Sequence, residues 1–359
     1  MVPRAKIQDV ARLAGVALST VSAVLNGKNI VSGPTRQRVL DAIETLQYRP
    51  DHYASNLARR QTNVFGLIVS DLLNPFFSET AQAIEEEARR HGFGVTLTAT
   101  NYSPELLRQA VRQMLGARIA GIAVMTSEYD GEAFQMVHKS GVASVFLDVG
   151  KPGARSTNIR VDTRGGMVEA VRHLVDLGHR DLLLVRNSHQ GGGPPLLSHR
   201  YRNQGFAAAI KIFGELDIRS TVVDSFGFPT EAGRHAIQSV LGRSAFTAVV
   251  CTTDLLAVGV YRGLHESGIS VPNDVSVIGF DNTFLSEFMI PALTTVDIPR
   301  QELSRLAVNA LLPAEESSRS SRTVRLATKL IVRSSTAPLS KRLGKSLPAP
   351  TTVTIQSTT

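Results

Sequence analysis

Residues 6–26 read KIQDVARLAGVALSTVSAVLN, and this stretch decides the fold of the N-terminal part of the chain. Apolar residues recur first at the spacing of one helix face, at Ile7, Val10, Ala11 and Ala14. Gly15 ends that helix, and a second apolar stripe follows at Val21, Val24 and Leu25. The sequence therefore predicts two short helices that are joined by one tight turn.

The opposite face of the second predicted helix carries mostly small or polar side chains. They are Leu18, Ser19, Thr20, Ser22, Ala23 and Asn26. A helix that packs through one stripe and presents small polar groups on its other face fits the major groove of DNA. The alternative is a plain helical hairpin with no role in DNA binding.

A third helix is predicted directly downstream. Residues 32–35, SGPT, supply a cap residue and an early proline, and Pro50 marks the end of the helix. The N-terminal run as a whole resembles the helix-turn-helix of the lactose-repressor/galactose-repressor (LacI/GalR) family of bacterial transcription regulators.

Residues 54–60, ASNLARR, match the hinge helix of that family. The resemblance implies that two such helices, one from each subunit, enter the minor groove of the operator. Ala54, Leu57 and Arg59 would then contact DNA, and Leu57 would wedge between base pairs and kink the duplex.

Charge is distributed unevenly along the 359 residues. The net charge of +8 divides into +5 on residues 1–60, −3 on residues 61–314 and +6 on residues 315–359. A basic N-terminal end on a mildly acidic body indicates a polyanionic partner at that end. We expect the Ser- and Thr-rich tail, residues 339–359, to be disordered.

Cys251 is the only cysteine, so no disulfide can form within the chain. No apolar run reaches membrane-spanning length, and the N-terminus lacks the apolar core of a signal peptide. We therefore expect a protein of the bacterial cytoplasm, associated with the nucleoid when it is bound to DNA.

From Val64 onward, apolar strand segments alternate with helical ones. The strand segments are 64–69, 94–98, 119–125, 145–147, 182–185, 248–250 and 275–279. This α/β pattern predicts parallel sheets covered on both faces, in two doubly wound subdomains. The predicted domains are a DNA-binding head (1–50), a hinge (51–61) and a body (62–338). The expected subdomains of the body are approximately 62–161 plus 292–323, and 162–291 plus 324–338.

In such sheets, ligands bind at the carboxyl ends of the strands. Polar groups follow five predicted strands, as Ser70-Asp71, Thr126-Ser127, Asp148, Thr252-Thr253-Asp254 and Asp281-Asn282. They could bind a polyol, with an apolar face supplied by Phe76, Phe77 or Phe228. For any single position, the alternative that the group only caps the next helix stays open.

Five motifs extend the family resemblance over most of the chain, from about residue 6 to 336. They are NPFF (74–77), VDTRGG (161–166), RNQGF (202–206), VIGFDN (277–282) and PALTTV (291–296). The resemblance implies a body like that of periplasmic sugar-binding proteins, with three crossovers and an effector in the cleft between subdomains. The implied effector-binding residues are Ser70, Asn74, Phe76, Phe77, Asp148, Arg202, Phe228, Thr253 and Asp281. Arg202 and Asp281 could alternatively form a structural ion pair.

Three departures from the family pattern affect the predicted head. Lys6 and Ala17 replace the usual helix-capping Thr and Ser, and the loss of a cap typically costs about 1 kcal/mol. Ala23 replaces a common Arg, so the operator should differ at the base which that Arg reads.

The loop 189–195, HQGGGPP, is either a mobile lid or a spacer. No tetramer-forming leucine repeat follows Arg333, so a homodimer is expected.

These observations predict a DNA-binding transcriptional repressor whose operator affinity is controlled by a small polar effector, a sugar or a related metabolite. A transport solute-binding protein would leave residues 1–60 without a role. An enzyme lacks support, since no nucleophile elbow, metal-spaced His/Cys cluster or dinucleotide glycine motif is present. No cofactor and no metal ion is expected. The partners expected are pseudo-palindromic double-stranded DNA, the effector and a second copy of the chain.

Overall fold

The computed structural model describes residues 5–25, 30–48, 62–148, 155–187, 197–313 and 321–339. Two compact units divide the chain, Met1–Thr62 and Asn63–Thr359. Several predictions lie outside the described residues. These are the hinge helix with Ala54, Leu57 and Arg59, the DNA contact of Asn26, the loop 189–195 and the tail beyond Leu339.

In the N-terminal unit, here called the head, the described residues form three helices. They are α1 (Ile7–Ala14), α2 (Leu18–Leu25) and α3 (Gly33–Thr45). Val10, Val21 and Val39, one from each helix, are completely buried and meet in the centre of the head. The predicted apolar stripes therefore hold the three helices together, as their helical spacing indicated.

The first half of the body is an alternation of strands and helices. Its elements are β1 (Val64–Val69), α4 (Pro75–Arg90), β2 (Gly94–Ala99), α5 (Pro104–Gly116), β3 (Gly121–Met125), α6 (Gly131–Ser140), β4 (Ala143–Leu147) and β5 (Ser156–Val161). Every residue of β3 and β4 is buried. Such continuous burial is what helices on both faces of a parallel sheet require.

The second half repeats this alternation. Its elements are α7 (Thr163–Asp176), β6 (Asp181–Asn187), α8 (Leu197–Ile212), β7 (Arg219–Ser225), α9 (Pro229–Val240), β8 (Ala248–Cys251), α10 (Asp254–Glu266), β9 (Ser276–Asp281), α11 (Leu285–Phe288) and β10 (Thr294–Asp297). The chain then returns through α12 (Arg300–Leu311), β11 (Arg322–Leu326) and β12 (Lys329–Ile331).

Two six-stranded sheets result, with the orders β11-β5-β4-β3-β1-β2 and β12-β10-β9-β8-β6-β7. The prediction of two doubly wound parallel-sheet subdomains is confirmed. We call residues 63–161 with 300–326 the first subdomain, and residues 162–299 with 327–339 the second.

The expected crossovers near 292 and 324 need correction. Thr294–Asp297 pairs in parallel with β9 and so belongs to the second sheet, whereas Arg322–Leu326 pairs in parallel with β5 in the first. The chain therefore changes subdomain near residues 298 and 327. The reason is that the ladder hydrogen bonds, and not the apolar pattern of these short strands, assign each strand to its sheet.

Among the described residues, no single helix is long and apolar enough to cross a membrane. Helices α1 and α2 pass that test of length and composition only when taken together, and they are bent by 105° from one another.

Candidate functional site

The geometry of α1 and α2 is that of a DNA-binding helix-turn-helix. The two helices cross at 105° over a three-residue connection, and Gly15 adopts the left-handed φ of 62° that this turn needs. Val16 N–H donates to the Ala11 carbonyl at 3.1 Å and closes the end of α1. This arrangement leaves one face of α2 free of the head core.

The predicted DNA-facing side chains of α2 are not all on that face. Leu18 and Ser19 are exposed, and Thr20 and Ser22 are half-buried. Ala23 is the exception, because only 7% of its surface is exposed. The structure thus does not place Ala23 on the open surface of the head, where the sequence pattern had put it.

The start of α1 compensates in part for the missing capping hydroxyl at Lys6. The Lys6 side chain makes no capping hydrogen bond, yet its backbone N–H donates to the Asp9 carboxylate at 2.9 Å. An acidic side chain in the first turn also interacts favourably with the helix dipole. The expected loss of stability from the missing capping residues therefore concerns Ala17 more than Lys6.

In the body, a narrow cavity of about 40 Å³ lies between the two subdomains, at the carboxyl ends of both sheets. Seven of the nine predicted effector-binding residues line it. They are Asn74, Phe76, Phe77 and Asp148 from the first subdomain, and Arg202, Thr253 and Asp281 from the second. We call this space the cleft. The rule that ligand sites form at strand carboxyl ends selected Asp148, Thr253 and Asp281, while the family motifs supplied Asn74 and Arg202.

Two predicted residues do not line the cleft. Ser70 is fully buried, donates to Glu128 at 2.6 Å and accepts from the Ser127 N–H at 2.8 Å, so its hydroxyl is already used. Phe228 is 46% exposed at the start of α9. The sequence places Ser70 directly after a predicted strand, but it does not show that a buried glutamate accepts the Ser70 hydrogen bond or that Phe228 lies at the surface.

Arg202 and Asp281 form an ion pair in the wall of the cleft. Arg202 Nη2 lies 2.6 Å from Asp281 Oδ1, and both side chains are buried. Arg202 also donates to the Thr252 carbonyl, and its guanidinium stacks over the Phe280 ring at 4.3 Å from the centroid. The pair is thus a structural ion pair that also lines the cleft, and effector binding by it remains a prediction.

Burial raises the pKa of Asp281 to about 6, although Arg202 opposes this shift by stabilising the carboxylate. A similar balance holds across the cleft, where burial raises the pKa of Asp148 to about 6. The Asp148 carboxylate accepts the Val161 N–H at 2.9 Å. The cleft is therefore lined by acids that bind protons more tightly than exposed carboxylates do.

Asp254 supports this wall from behind, a role that the sequence did not assign. It is fully buried and accepts hydrogen bonds from Thr295 Oγ1 at 2.5 Å and from the Thr283 N–H at 2.7 Å. Burial, together with the charge of Asp281, raises its pKa to about 7. Its position directly after a strand made it a candidate polyol-binding group, whereas the structure places it behind the wall and not in the lining of the cleft.

Helix capping and a position in the lining of the cleft do not exclude each other. Asn74 Oδ1 accepts the Phe76 N–H at 3.1 Å, and Thr253 Oγ1 accepts the Leu256 N–H at 3.1 Å, while both residues line the cleft. Capping fixes the rotamers of the two side chains. Each is therefore held in place before any ligand arrives.

The residues that line the cleft include polar groups that sequence reasoning missed, Tyr102 and Ser198 among them. Burial raises the pKa of the Tyr102 phenol well above the ordinary value. Ser198, at the start of α8, donates to Ser127 Oγ at 3.0 Å. Leu197 N–H also donates to the Ser127 carbonyl at 2.8 Å. These contacts tie the second subdomain to the first at the mouth of the cleft.

Comparison with known proteins identifies the family. Residues 6–51 match the family described as bacterial regulatory proteins, lacI family, and residues 171–336 match a periplasmic binding protein-like domain. The HTH-type transcriptional repressor PurR of Glaesserella parasuis is 33% identical over 309 residues, covering 86% of this chain and 89% of that protein. The chain belongs to the LacI family.

Solved structures agree with this assignment. A lac repressor dimer bound to operator and the anti-inducer ONPF has a TM-score of 0.80 at 27% identity, covering 93% of this chain and all of that one. A LacI-family regulator from Enterococcus faecium with bound ribose has a TM-score of 0.67 at 30% identity, covering 77% and 100%. This LacI-family protein is thus a DNA-binding transcriptional regulator and not an enzyme.

Proposed function

We propose that this LacI-family regulator is a repressor whose operator affinity is set by a small polar effector in the cleft. The observation that carries the proposal is the convergence of Asn74, Asp148, Arg202 and Asp281 from both subdomains on one space. Carboxylates accept hydrogen bonds from sugar hydroxyls, and a guanidinium donates to them. Phe76 and Phe77 supply the apolar surface on which a sugar ring packs.

The effector we infer is a sugar or a sugar derivative, as in the ribose-bound relative. A space of about 40 Å³ is far below the roughly 300–1,000 Å³ of pockets that hold metabolite-sized ligands. A sugar therefore enters only if the two walls separate. Effector binding is in this way linked to the arrangement of the subdomains.

For DNA recognition, we infer that α2 enters the major groove through Leu18, Ser19, Thr20 and Ser22. Ala23, which is buried in the head, is not among these contacts. Asn26 remains a proposed contact to the major groove, and Ala54, Leu57 and Arg59 remain proposed contacts to the minor groove. The partner is a pseudo-palindromic operator bound by a homodimer, as in the operator-bound lac repressor dimer. The protein would act in the bacterial cytoplasm, at the nucleoid when bound to DNA.

The test is an operator-binding titration by fluorescence anisotropy, with and without a panel of sugars, sugar acids and nucleosides. Asp281→Asn should retain operator binding and lose the change in DNA affinity that the effector causes. Asp181→Asn is the matched control, because Asp181 forms an exposed ion pair with Arg219 at 2.6 Å, away from the cleft. An unchanged effector response in Asp281→Asn would remove this residue from the site.

A further inference from the structure

A second and much larger cavity adjoins the cleft. It measures about 700 Å³ and shares Asp148, Val161 and Thr163 with the cleft. Its remaining wall comes from the end of β5, the start of α7, helix α8 and strand β11. Cavities of roughly 300–1,000 Å³ hold metabolite-sized ligands. The space is therefore large enough for a ligand of its own.

Three arginines line this cavity, and we call it the arginine cavity. Arg160 lies on β5, Arg164 in the first turn of α7 and Arg325 on β11. Arg160 and Arg164 are four residues apart, whereas Arg325 is distant in the sequence, and the pairing of β5 with β11 places it beside Arg160. The fold thus adds the charge of Arg325 to a local pair of arginines.

The guanidinium groups of the arginine cavity differ from most others in the body. Arg108, Arg186 and Arg219 each hold a carboxylate within 2.7 Å. By contrast, Arg164 and Arg325 have no ion-pair partner among the residues that the structure describes. Their charges are available to a ligand.

The two carboxylates of the cavity are already engaged. Asp162 caps α7 by accepting the Gly165 N–H at 3.1 Å, and Asp148 accepts the Val161 N–H. Arg160 stacks over the ring of Tyr201, with 5.8 Å between its guanidinium carbon and the ring centroid. Tyr201 and Gln204, both on α8, add a hydroxyl and an amide to the wall.

We propose that the arginine cavity binds a small oxyanion ligand, a metabolite that carries a phosphate ester or carboxylates. Guanidinium groups bind such oxyanions through paired, charge-assisted hydrogen bonds. The start of α7 lies in the same wall and contributes its positive dipole end. This site is additional to the effector cleft and does not depend on the identity of the effector.

Occupancy of the arginine cavity is coupled to the cleft. Its walls come from both subdomains, so a ligand that bridges them favours one subdomain arrangement over others. Asp148 lines both spaces, so charge placed in one changes the affinity of the other. The oxyanion therefore tunes the affinity for the effector.

Isothermal titration calorimetry of the full-length protein tests the proposal. The probes are inorganic phosphate, ribose 5-phosphate and citrate, with uncharged ribose for comparison. The double variant Arg160→Gln/Arg325→Gln should lose at least about tenfold in affinity for the oxyanion that binds, since each hydrogen bond to a charged group contributes about that much. Binding of ribose 5-phosphate or of citrate identifies phosphate ester or carboxylate as the preferred group.

The matched control is Arg243→Gln/Arg305→Gln, which removes two exposed arginines outside the cavity. This control should bind the oxyanion as the wild type does, and both double variants should keep their operator affinity without ligand. Three results would overturn the proposal. They are no binding of any oxyanion at millimolar concentration, equal loss in both double variants, or loss only in Asp281→Asn. The last result would assign the oxyanion to the effector cleft and leave the proposed function standing.

Discussion

The two subdomains share one strand order but hold buried charge at their carboxyl edges in different ways. In the first, Glu128 is buried and accepts hydrogen bonds from the hydroxyls of Ser70 and Thr100. In the second, Asp281 is buried against the guanidinium of Arg202. The shared strand order therefore places a possible ligand site at the carboxyl ends of both sheets. The partner of each buried carboxylate, hydroxyls in the first subdomain and a guanidinium in the second, decides which wall of the cleft carries an ion pair.

The closing strands differ as well. β11 runs parallel to β5 in the first sheet, whereas β12 runs antiparallel to β10 in the second. The parallel edge exposes Arg160 and Arg325 beside one another, and this creates the arginine cavity on one side only. The asymmetry of the site thus begins at the last two strands of the chain.

The largest expected effect is the loss of the ion pair in the second subdomain. Arg202→Ala should lower the free energy of unfolding by about 3–5 kcal/mol, because it leaves Asp281 buried without its cation. Denaturant unfolding followed by circular dichroism measures this change. The double variant Arg202→Leu/Asp281→Leu should recover most of the loss. A single variant within about 1 kcal/mol of wild type would show that the pair contributes little.

The next effect concerns the contact between α9 and α10, which is specific to the second subdomain. A Cβ at Gly259 would lie 1.9 Å from the Thr230 carbonyl oxygen. Gly259→Ala should therefore lower the free energy of unfolding by about 3 kcal/mol. Gly116→Ala, at the end of α5 in the first subdomain, is the control. No atom lies within 4 Å of its added Cβ, and it should be neutral or slightly stabilising. Equal effects in thermal unfolding would contradict the packing difference.

The third effect is a pH dependence that comes from Asp254. Its pKa in the folded protein is about 7, against an ordinary value of 3.8, so the folded state binds the proton more tightly. Its contribution to stability is full below pH 3.8 and is lost as pH rises through 7. Asp281 and Asp148 shift in the same direction, with pKa values of about 6.

Asp254→Asn separates the Asp254 contribution from that of the other acids. The amide oxygen can accept from the Thr283 N–H, and the amide nitrogen can donate to Thr295 Oγ1 once that hydroxyl, which donates to Asp254 in the structure, turns away. Between pH 5 and pH 8, the free energy of unfolding of the variant should fall by about 2 kcal/mol less than that of the wild type. Parallel pH profiles of unfolding free energy in the two proteins would show that Asp254 does not titrate in this window.

The smallest expected effect lies in the first subdomain. Glu128→Gln should lower the free energy of unfolding by about 1 kcal/mol. Ser70 and Thr100 donate to different oxygens of the carboxylate, and the amide has only one oxygen to accept with, so one of the two hydrogen bonds is lost. Operator binding and effector response should persist, since Glu128 does not line the cleft. A loss of effector response equal to that of Asp281→Asn would erase the distinction between the two walls.

The sequence by itself determined the elements and much of the site. The apolar stripes around Val10, Val21 and Val39 predicted the head, because helical spacing is a local property. The continuous apolar runs predicted buried parallel strands, and polar groups after those strands predicted Asp148, Thr253 and Asp281 in the cleft. The family motifs NPFF and RNQGF added the other four predicted residues, Asn74, Phe76, Phe77 and Arg202. In each case the signal lies within a few residues of the group concerned.

Only the tertiary structure decided which of these groups is available to a ligand. Ser70 and Asp148 both follow a strand. The Ser70 hydroxyl donates its hydrogen bond to Glu128, 58 residues away, whereas Asp148 lines the cleft. The support from Asp254 and the meeting of Arg160 with Arg325 likewise depend on partners distant in the chain. The packing of whole helices and strands against one another determines which side chains become partners, and local sequence patterns do not predict that packing.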